Sequence, residues 1–283
     1  MRLLKGSEVA KVIKQQISDD VKELNTIGKF PRLGIIRLGN DPSDISYEKS
    51  IIKNCDTLKI DTTVIELYRD INTDELVNTI KDLNNHNSIS GILIFRPLPK
   101  HIDEKKISMA ITPSKDVDCM HPLNLEKIFE GDNTGFAPCT PKAAMEILSH
   151  NKISLEGKNV IVINRTMVVG KPLSMMLLKE NATVTICHSR TKNLQEITRN
   201  ADIVMTALGK ANFLDDSYFN EDSIVIDIGV SLNDQGMIAG DVDSDKVKDK
   251  IAMITPVPGG VGSVTTSILL KQVVDACKIE LNL

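Results

Sequence analysis

Short, solidly apolar runs alternate with longer stretches of helical pattern along this chain, and that alternation restricts the fold more than any other feature. The runs are Leu33 to Leu38, Thr62 to Leu67, Gly91 to Phe95, Val160 to Ile163, Thr183 to Cys187, Ile203 to Ala207 and Ile224 to Ile228. Strands and helices in turn are typical of parallel sheets covered by helices. Because the runs do not alternate with polar residues, we predict strands buried on both faces and an α/β fold.

A turn-rich segment divides the chain, whose 283 residues suffice for two domains. Gly131 to Pro141 reads GDNTGFAPCTP, and a helical stretch follows it. We predict an α/β domain over 1–120, a linker and connecting helix over 121–150, and a Rossmann-like parallel sheet over 151–262. The final helix, about 263–283, is expected to pack back on the first domain. The cleft between the two domains is the expected ligand site.

Charge and composition exclude several classes of partner. Thirty-four basic residues against 38 acidic ones give a net charge of −4, so no net basic field attracts nucleic acid or an anionic membrane. With no Trp and three Tyr, an aromatic platform for stacked bases is not expected. No stretch approaches the roughly 18 apolar residues of a membrane span.

The five cysteines form an odd, scattered set without a CxxC motif. That usage indicates a reducing compartment, the cytoplasm, and argues against a disulfide framework. Cys119, His121 and Cys139 lack the paired spacing of a zinc site, so no metal is predicted.

The second half contains a candidate nucleotide-binding unit. Val160 to Ile163 reads as a strand, Asn164 to Lys171 as a tight connection, and Pro172 as a residue of the first helical turn. The amino end of a helix that faces such a loop is a seat for phosphate. However, the GxGxxG fingerprint is absent, and only Gly170 remains where the helix must approach the strand.

The residues after the next strand favour NADP over NAD. An NAD-binding unit places an acidic residue here for the ribose hydroxyl, whereas Thr183 to Cys187 is followed by His-Ser-Arg-Thr. Arg165, Ser189 and Arg190 could instead surround a 2′-phosphate, because guanidinium groups match phosphate geometry. NAD stays possible, and the plainer reading is that both arginines are solvated loop residues.

At this point the motifs resemble a family. INRTMVVGKPLSMMLL, ATVTICHSRT, ADIVMTALGKANF, VIDIGV, GDVD and TPVPGGVGSVTT occur in the order and spacing of the methylenetetrahydrofolate dehydrogenase/cyclohydrolase family, and PSKDVDCMHPLN and PCTP resemble its linking signatures. The resemblance implies an enzyme that takes a hydride from 5,10-methylenetetrahydrofolate and yields the methenyl compound and reduced cofactor. It also implies a homodimer.

The resemblance further implies site residues by position. Tyr47 is expected to stack along the folate, and Asp118 to accept hydrogen bonds from the pterin edge, which is a row of N–H donors. Their plainer readings are a half-buried core aromatic and a turn or helix cap. The other expected folate residues are Leu98, Pro258, Gly259 and Gly260, and the expected cofactor residues are Asn164, Arg165, Thr166, Gly170, Lys171, Pro172, Ser189, Arg190, Val230 and Thr265.

The chain departs from its family at the positions that carry the hydrolytic step. Bifunctional members use a lysine four residues after the tyrosine and a glutamine in a GILVQLPLP-like strand, whereas this chain has Ile51 and, in GILIFRPLP, Phe95. Hydride transfer is driven by the substrate nitrogens and needs alignment more than a protein base. Losing a positioned acid–base group costs about 10²–10⁴-fold, so we predict a dehydrogenase with weak or absent cyclohydrolase activity.

Several alternatives stay open. A basic residue such as Lys49, Lys53 or Arg96 could enter the site from another direction and keep the enzyme bifunctional. A non-catalytic folate or nucleotide sensor would also lose catalytic side chains. Another two-domain dehydrogenase, such as a shikimate type, fits PSKDVD and PVPGGVG less well. Asn164 stands where the family usually has glycine, and asparagine tolerates the left-handed conformation that such a turn can require.

Overall fold

The computed structural model describes residues 1–281 as two compact units. Of the described residues, the three-stranded unit comprises Val12–Ala137 and 266–281, and the six-stranded unit comprises Met1–Lys11 and Pro138–Thr265. Residues 121–137, which we expected to form a linker, therefore lie within the three-stranded unit. The first eleven residues lie with the other sheet. Residues 282 and 283, the end of the expected final helix, lie outside the described residues.

The chain builds strands and helices in alternation. The strands are β1 (Arg2–Leu3), β2 (Arg32–Leu38), β3 (Asp61–Leu67), β4 (Gly91–Ile94), β5 (Asn159–Ile163), β6 (Thr183–Cys187), β7 (Ile203–Thr206), β8 (Ile224–Asp227), β9 (Ser231–Leu232), β10 (Ile238–Ala239) and β11 (Met253–Ile254). The helices are α1 (Gly6–Thr26), α2 (Pro42–Leu58), α3 (Thr73–Asn85), α4 (Glu104–Ala110), α5 (Pro122–Glu130), α6 (Cys139–His150), α7 (Gly170–Lys179), α8 (Leu194–Arg199), α9 (Ser244–Val247) and α10 (Gly262–Ile279).

The three-stranded unit has a parallel sheet in the order β3-β2-β4. The chain turns directly from β2 into α2, where the side chain of Asp41 accepts a hydrogen bond from the backbone N–H of Ser43 and Pro42 occupies the first turn. In α10, the buried side chain of Gln272 donates to the carbonyl oxygens of Val117, at 2.7 Å, and Ala137, at 3.0 Å. These bonds fix α10 to the loops beside this sheet.

The six-stranded unit has a sheet in the order β1-β11-β8-β7-β5-β6, in which every pair is parallel. Ile163 at the end of β5 pairs with Cys187 of β6 and Thr206 of β7, and Thr206 pairs with Asp227 of β8. The four strands thus end at the same level. Side chains that follow them lie at the carboxyl-terminal ends of the strands, which is where ligands bind in open parallel sheets.

The seven predicted strands are all present, each within one residue of its predicted ends, and the α/β fold class is confirmed. The expectation of burial on both faces is wrong for β3 and β6, whose residues are mostly half-buried or exposed. Both strands lie at sheet edges, where less structure covers them. Strands β1 and β11 and the antiparallel pair β9-β10 were not predicted, because two-residue strands carry no periodic signal.

No helix in the described part of the chain combines the length and the apolar character needed to cross a membrane.

Candidate functional site

Asn164 organises the loop between β5 and α7. Its side-chain oxygen accepts from the backbone N–H of Thr166 at 2.8 Å, from the Thr166 hydroxyl at 2.8 Å and from the N–H of Gly170 at 3.0 Å. Its side-chain nitrogen donates to the carbonyl oxygen of Ala207, in the loop after β7, at 2.6 Å. One amide group therefore ties together the two ends of its own loop and a neighbouring loop.

We expected asparagine to suit position 164 because it accepts left-handed backbone, and this reason is wrong. Its φ is not positive, so a capacity for left-handed backbone is not what suits asparagine to the position. The side chain instead supplies hydrogen bonds that glycine lacks. The first turn of α7 is also internally satisfied, because Lys171 donates its N–H to the carbonyl of Thr166, Leu173 donates to Val169, and Pro172 has none. The N–H groups expected to seat a phosphate are thus occupied by the loop itself.

Gly170 is required for close approach and not for an unusual φ. A Cβ added there would lie 2.0 Å from the carbonyl oxygen of Asn164 and 2.8 Å from the nitrogen of Arg165, and both neighbours are backbone. Glycine therefore allows α7 to begin directly against the loop. Pro172, in the first turn of the helix as predicted, is buried.

The turn after β6 presents the expected phosphate-binding side chains. His188 holds this turn, because its Nδ1 accepts from the N–H of Arg190 at 3.1 Å and its own N–H donates to the Thr191 hydroxyl at 2.8 Å. Ser189 and Arg190 are exposed, as are Arg165, Thr166 and Lys171 after β5. Since β5 and β6 are paired neighbours, these side chains lie together at the carboxyl-terminal ends of the two strands. The described residues thus contribute basic and hydroxyl groups there and no acidic group on the turn after β6.

Two buried aspartates that the sequence analysis did not single out hold the loops after β7 and β8. Asp227 accepts from the N–H groups of Gly229, Asp241 and Val242 at 2.9–3.1 Å. Asp241 accepts from the Thr206 hydroxyl and from the N–H groups of Leu208 and Lys210 at 2.6–2.9 Å. Burial raises the pKa of Asp227 to about 7 against the opposing effect of its backbone donors, and the nearby Asp241 carboxylate adds to the rise.

Glycines make room for this pair of acids. A Cβ on Gly229 would lie 2.2 Å from the Asp241 carboxyl carbon, and one on Gly240 would lie 2.1 Å from Oδ2 of Asp227. The motifs VIDIGV and GDVD therefore encode two carboxylates and the two glycines that face them. A signal was present in the sequence as the DIG and GDVD pairs, but their mutual contact depends on the fold.

A cavity of about 200 Å³ beside β8 brings together four predicted site residues: Val230, Pro258, Gly259 and Gly260. Val230 is exposed and Gly260 is buried. Thr265 lies in the first turns of α10, where its hydroxyl donates to the carbonyl oxygen of Val261 at 3.1 Å. The expected cofactor residue Val230 and the expected folate residues of the PVPGG run thus line the same cavity of the six-stranded unit.

In the three-stranded unit, Tyr47 is 41% exposed on α2 and packs against Phe95, which follows β4, with ring centroids 5.5 Å apart and planes tilted by 36°. Ile51, one helical turn after Tyr47, is completely buried. Beside Tyr47 the chain therefore has the aliphatic Ile51 at the expected position of the amine and the aromatic Phe95 at the expected position of the amide. Lys49 and Lys53 of the same helix are exposed.

A buried ion pair fixes the orientation of α2. Arg37 of β2 donates from Nε to Oε2 of Glu48 at 2.9 Å, and its Nη2 lies 3.0 Å from Oε1 of Glu66. The side chains of Arg37 and Glu48 are almost fully buried. Since Glu48 adjoins Tyr47 in the helix, this contact sets how the tyrosine is presented.

The two aspartates of the KDVD motif have different roles. Asp116 is buried and accepts from the N–H groups of Met120 and His121 and from Nδ2 of Asn124, all at 2.8 Å. Burial raises the pKa of Asp116 to about 6. Asp118 instead has an accessible carboxylate, whose Oδ2 lies 2.8 Å from Nη2 of Arg96. The turn-holding role considered for Asp118 thus falls to Asp116, and Asp118 stays available to a ligand.

Leu98 contacts the hydrophobic core of the three-stranded unit. It is half-buried and packs against the hydrophobic cluster between the sheet and helices α3 and α4. Arg96 is joined to Pro97 by a cis peptide bond. The segment 95–98 therefore carries the Tyr47 contact, the Asp118 contact and Leu98 in sequence.

Cys119 and His121 have structural roles. Cys119 is buried with a φ of 56°, in the left-handed region that favours glycine. His121 caps α5 by accepting at Nδ1 from the N–H of Leu123 at 3.1 Å. Within residues 1–281, no three His, Cys, Asp or Glu side chains form a group that could hold a metal ion. The five cysteines are buried free thiols.

Comparison with known proteins adds independent findings. Residues 4–118 match the catalytic domain of tetrahydrofolate dehydrogenase/cyclohydrolase, and residues 138–281 match its NAD(P)-binding domain. The chain is 56% identical over 280 residues to the bifunctional protein FolD of Clostridium botulinum, covering 98% of each chain.

Solved structures agree. The bifunctional FolD of Campylobacter jejuni superposes with a TM-score of 0.97 at 39% identity, covering 99% of each chain. The Trypanosoma brucei methylenetetrahydrofolate dehydrogenase-cyclohydrolase, complexed with NADP and an inhibitor, superposes with a TM-score of 0.93 at 31% identity, covering 99% of this chain and 98% of that one.

Proposed function

Because the chain belongs to the tetrahydrofolate dehydrogenase/cyclohydrolase family, we propose that it oxidises 5,10-methylenetetrahydrofolate to 5,10-methenyltetrahydrofolate with NADP and hydrolyses that product weakly or not at all. The protein is an enzyme of one-carbon folate chemistry with an NAD(P)-binding Rossmann-like domain. The three-stranded unit binds the folate in this proposal, and the six-stranded unit binds the nucleotide. The observation that carries the proposal is the pairing of Tyr47 with Phe95 beside the buried Ile51.

Folate recognition rests on Tyr47 and Asp118. The exposed ring of Tyr47 offers a flat face for a pterin or its linked benzoyl ring. The Asp118 carboxylate, anchored at one oxygen by Arg96, has further lone pairs for the N–H donors of the pterin. Pro258, Gly259 and Gly260, the other expected folate residues, line a cavity of the six-stranded unit together with Val230.

NADP fits the chemistry of the sheet edge. When bound, NADP supplies the acceptor for the hydride. The loop of Asn164 uses the N–H groups of the first turn of α7 for itself, so recognition of phosphate falls to exposed side chains. Arg165, Ser189 and Arg190 present two guanidinium groups and a hydroxyl at that edge. The NADP in the Trypanosoma brucei relative agrees with this preference.

The hydrolytic step needs a group that takes a proton from the attacking water. At the two positions where bifunctional members have lysine and glutamine, this chain has side chains without polar atoms, and they are buried. The described basic residues nearest in sequence to these positions do not replace the amine in this proposal. Lys49 and Lys53 are exposed, and Arg96 pairs with Asp118. Hydride transfer makes no such demand on the protein, so one activity can be lost while the other is kept.

The names of the relatives favour the alternative that both activities are retained, since the FolD proteins at 56% and 39% identity are called bifunctional. A retained cyclohydrolase would require a basic residue to reach the pocket by another route. The two readings differ in one product. With methylenetetrahydrofolate and NADP, our proposal predicts that methenyltetrahydrofolate accumulates in step with NADPH, and a bifunctional enzyme would convert it to 10-formyltetrahydrofolate.

The experiment follows NADPH and the methenyl chromophore in the same cuvette, with NAD in a parallel series. The test variant is Asp118→Asn, which keeps the shape of the proposed pterin acceptor and removes its charge. It should reduce turnover, mainly through the KM for the folate. Absence of turnover with either nucleotide would eliminate the dehydrogenase. Conversion to the formyl compound as fast as NADPH forms would eliminate the proposed loss of cyclohydrolase.

The preference for NADP has its own test. Arg190→Leu should raise the KM for NADP about tenfold, as expected for one charge-assisted hydrogen bond to phosphate, and leave the KM for NAD unchanged. Equal effects on both nucleotides would contradict a 2′-phosphate contact.

The homodimer and the cytoplasmic location stay predictions. Light scattering should give twice the mass of one chain if the homodimer forms. The cytoplasmic location rests on the odd, scattered set of cysteines, all of them free thiols in the structure.

A further inference from the structure

Arg96 introduces a positive charge beside the proposed pterin acceptor. The chain reads GILIFRPLP from the start of β4, so Arg96 follows directly after Phe95. The Nη2 atom of Arg96 lies 2.8 Å from Oδ2 of Asp118, and the two side chains are 20% and 24% exposed. The guanidinium group of Arg96 brings one positive charge to this contact. The pair therefore has no net charge, whereas Asp118 without the guanidinium group of Arg96 would be an uncompensated anion.

The charge of this pair matters because the proposed reaction changes the charge of its substrate. The folate enters with no formal charge on the ring atoms that react. It leaves as an amidinium cation, after the carbon between its two nitrogens has lost a hydride. A lone carboxylate in the pocket would attract that cation more than the neutral substrate, while a neutralised carboxylate discriminates much less.

We propose that Arg96 is a specificity-determining residue that weakens the hold of the pocket on the cationic methenyl product relative to the neutral methylene substrate. The inference rests on the proposed function. An enzyme that hydrolyses the product in place gains from holding it, whereas an enzyme without a water-activating amine must release it to solution. Arg96, by weakening the binding of the cation, and the apolar Ile51 and Phe95, by not activating water, then both favour release of unhydrolysed product. The reaction that consumes the product is hydrolysis of the released cation by a separate cyclohydrolase.

The size of the effect follows from the charge and the degree of exposure. One unit charge at a separation on the order of 8 Å, at an effective dielectric constant of about 40, between the values for water and for a protein surface, changes an affinity roughly fivefold. Both species carry the same side chain of glutamate, so the comparison of cation with neutral folate isolates the charge on the reacting ring.

The test measures dissociation constants of methenyltetrahydrofolate and of tetrahydrofolate, whose ring carries no such charge, by isothermal titration calorimetry. In Arg96→Leu the ratio of the constant for tetrahydrofolate to that for the cation should rise about fivefold. Arg96→Gln should show the same rise, so the test does not depend on one variant. Arg96→Lys keeps the charge and should stay near the wild-type ratio.

Arg32→Leu is the matched control for a change in net charge. Arg32 pairs with Asp61 at 2.7 Å at the beginning of β2, away from the carboxyl ends of the strands, and its loss should leave the ratio unchanged. Equal changes in both constants on removing the charge, or an Arg96→Lys variant that behaves like Arg96→Leu, would overturn the proposal. Failure of the wild-type protein to bind either folate would instead overturn the proposed function, so the two failures are distinguishable.

Discussion

Replacing Gly170 by alanine should destabilise the protein because the added methyl group has no room. Its Cβ would lie 2.0 Å from the carbonyl oxygen of Asn164, against an ordinary contact of about 3.5 Å, so the backbone of the loop must move by more than 1 Å. Overpacking of this kind costs about 1–3 kcal/mol. The shift also breaks the 3.0 Å bond between the Gly170 N–H and Asn164, which adds about 1 kcal/mol. We expect the free energy of unfolding to fall by about 2–4 kcal/mol.

Gly262 offers a matched control, because it also begins a helix and has open space around it. Gly262→Ala should leave the stability unchanged or raise it by about 0.4–1 kcal/mol. Urea denaturation followed by far-ultraviolet circular dichroism gives both free energies. Calorimetric titration of Gly170→Ala with NADP should show weakened binding, because the displaced loop carries Arg165. If the two alanine variants unfold at the same urea concentration, the close-approach account of Gly170 is refuted.

Three further changes test other parts of the structure. Asn164→Ala removes four hydrogen bonds and should lower the free energy of unfolding by about 2–3 kcal/mol in the same urea assay; an unchanged midpoint would contradict its organising role. Because burial raises the pKa of Asp227 to about 7, its folded form keeps a proton that the unfolded chain loses near pH 4. Its contribution to stability is therefore full below about pH 4 and falls by at most about 1.4 kcal/mol per pH unit up to pH 7. Asp227→Asn should remove that slope, and equal slopes would refute it. Ile51→Lys with Phe95→Gln should raise methenyl hydrolysis at least about tenfold, and Ile51→Met with Phe95→Leu should not; a folded double variant without any gain would contradict the assignment of these positions.

The strands of the core could be predicted because their residues are apolar over four or more positions, as in Val160 to Ile163. Strand β11, with only Met253 and Ile254, gives no such pattern and is recognised by its pairing with β1 and β8. Burial of β6 was overestimated because composition does not reveal that a strand lies at the edge of a sheet. Local sequence thus predicts strands of four or more residues, but it does not predict which strands lie beside one another in the sheet.

The candidate site shows the same division. The apolar character of Ile51 and Phe95 is visible in the sequence, and so is the position of Ile51 one helical turn after Tyr47. The hydrogen bonds of Asn164, which join residues up to 43 positions apart, and the contact of Arg96 with Asp118, 22 positions apart, depend on the fold. The sequence identified the residues at these positions, but which groups satisfy one another became apparent only from the structure.

The central claim is that this pocket aligns a folate for hydride transfer without activating water. The most direct measurement supplies methenyltetrahydrofolate itself, without nucleotide, and follows its disappearance at increasing enzyme concentration. We predict that hydrolysis per enzyme molecule stays far slower than the reduction of NADP with methylenetetrahydrofolate by the same preparation. A hydrolysis rate per enzyme molecule that matches the rate of NADP reduction would contradict the claim.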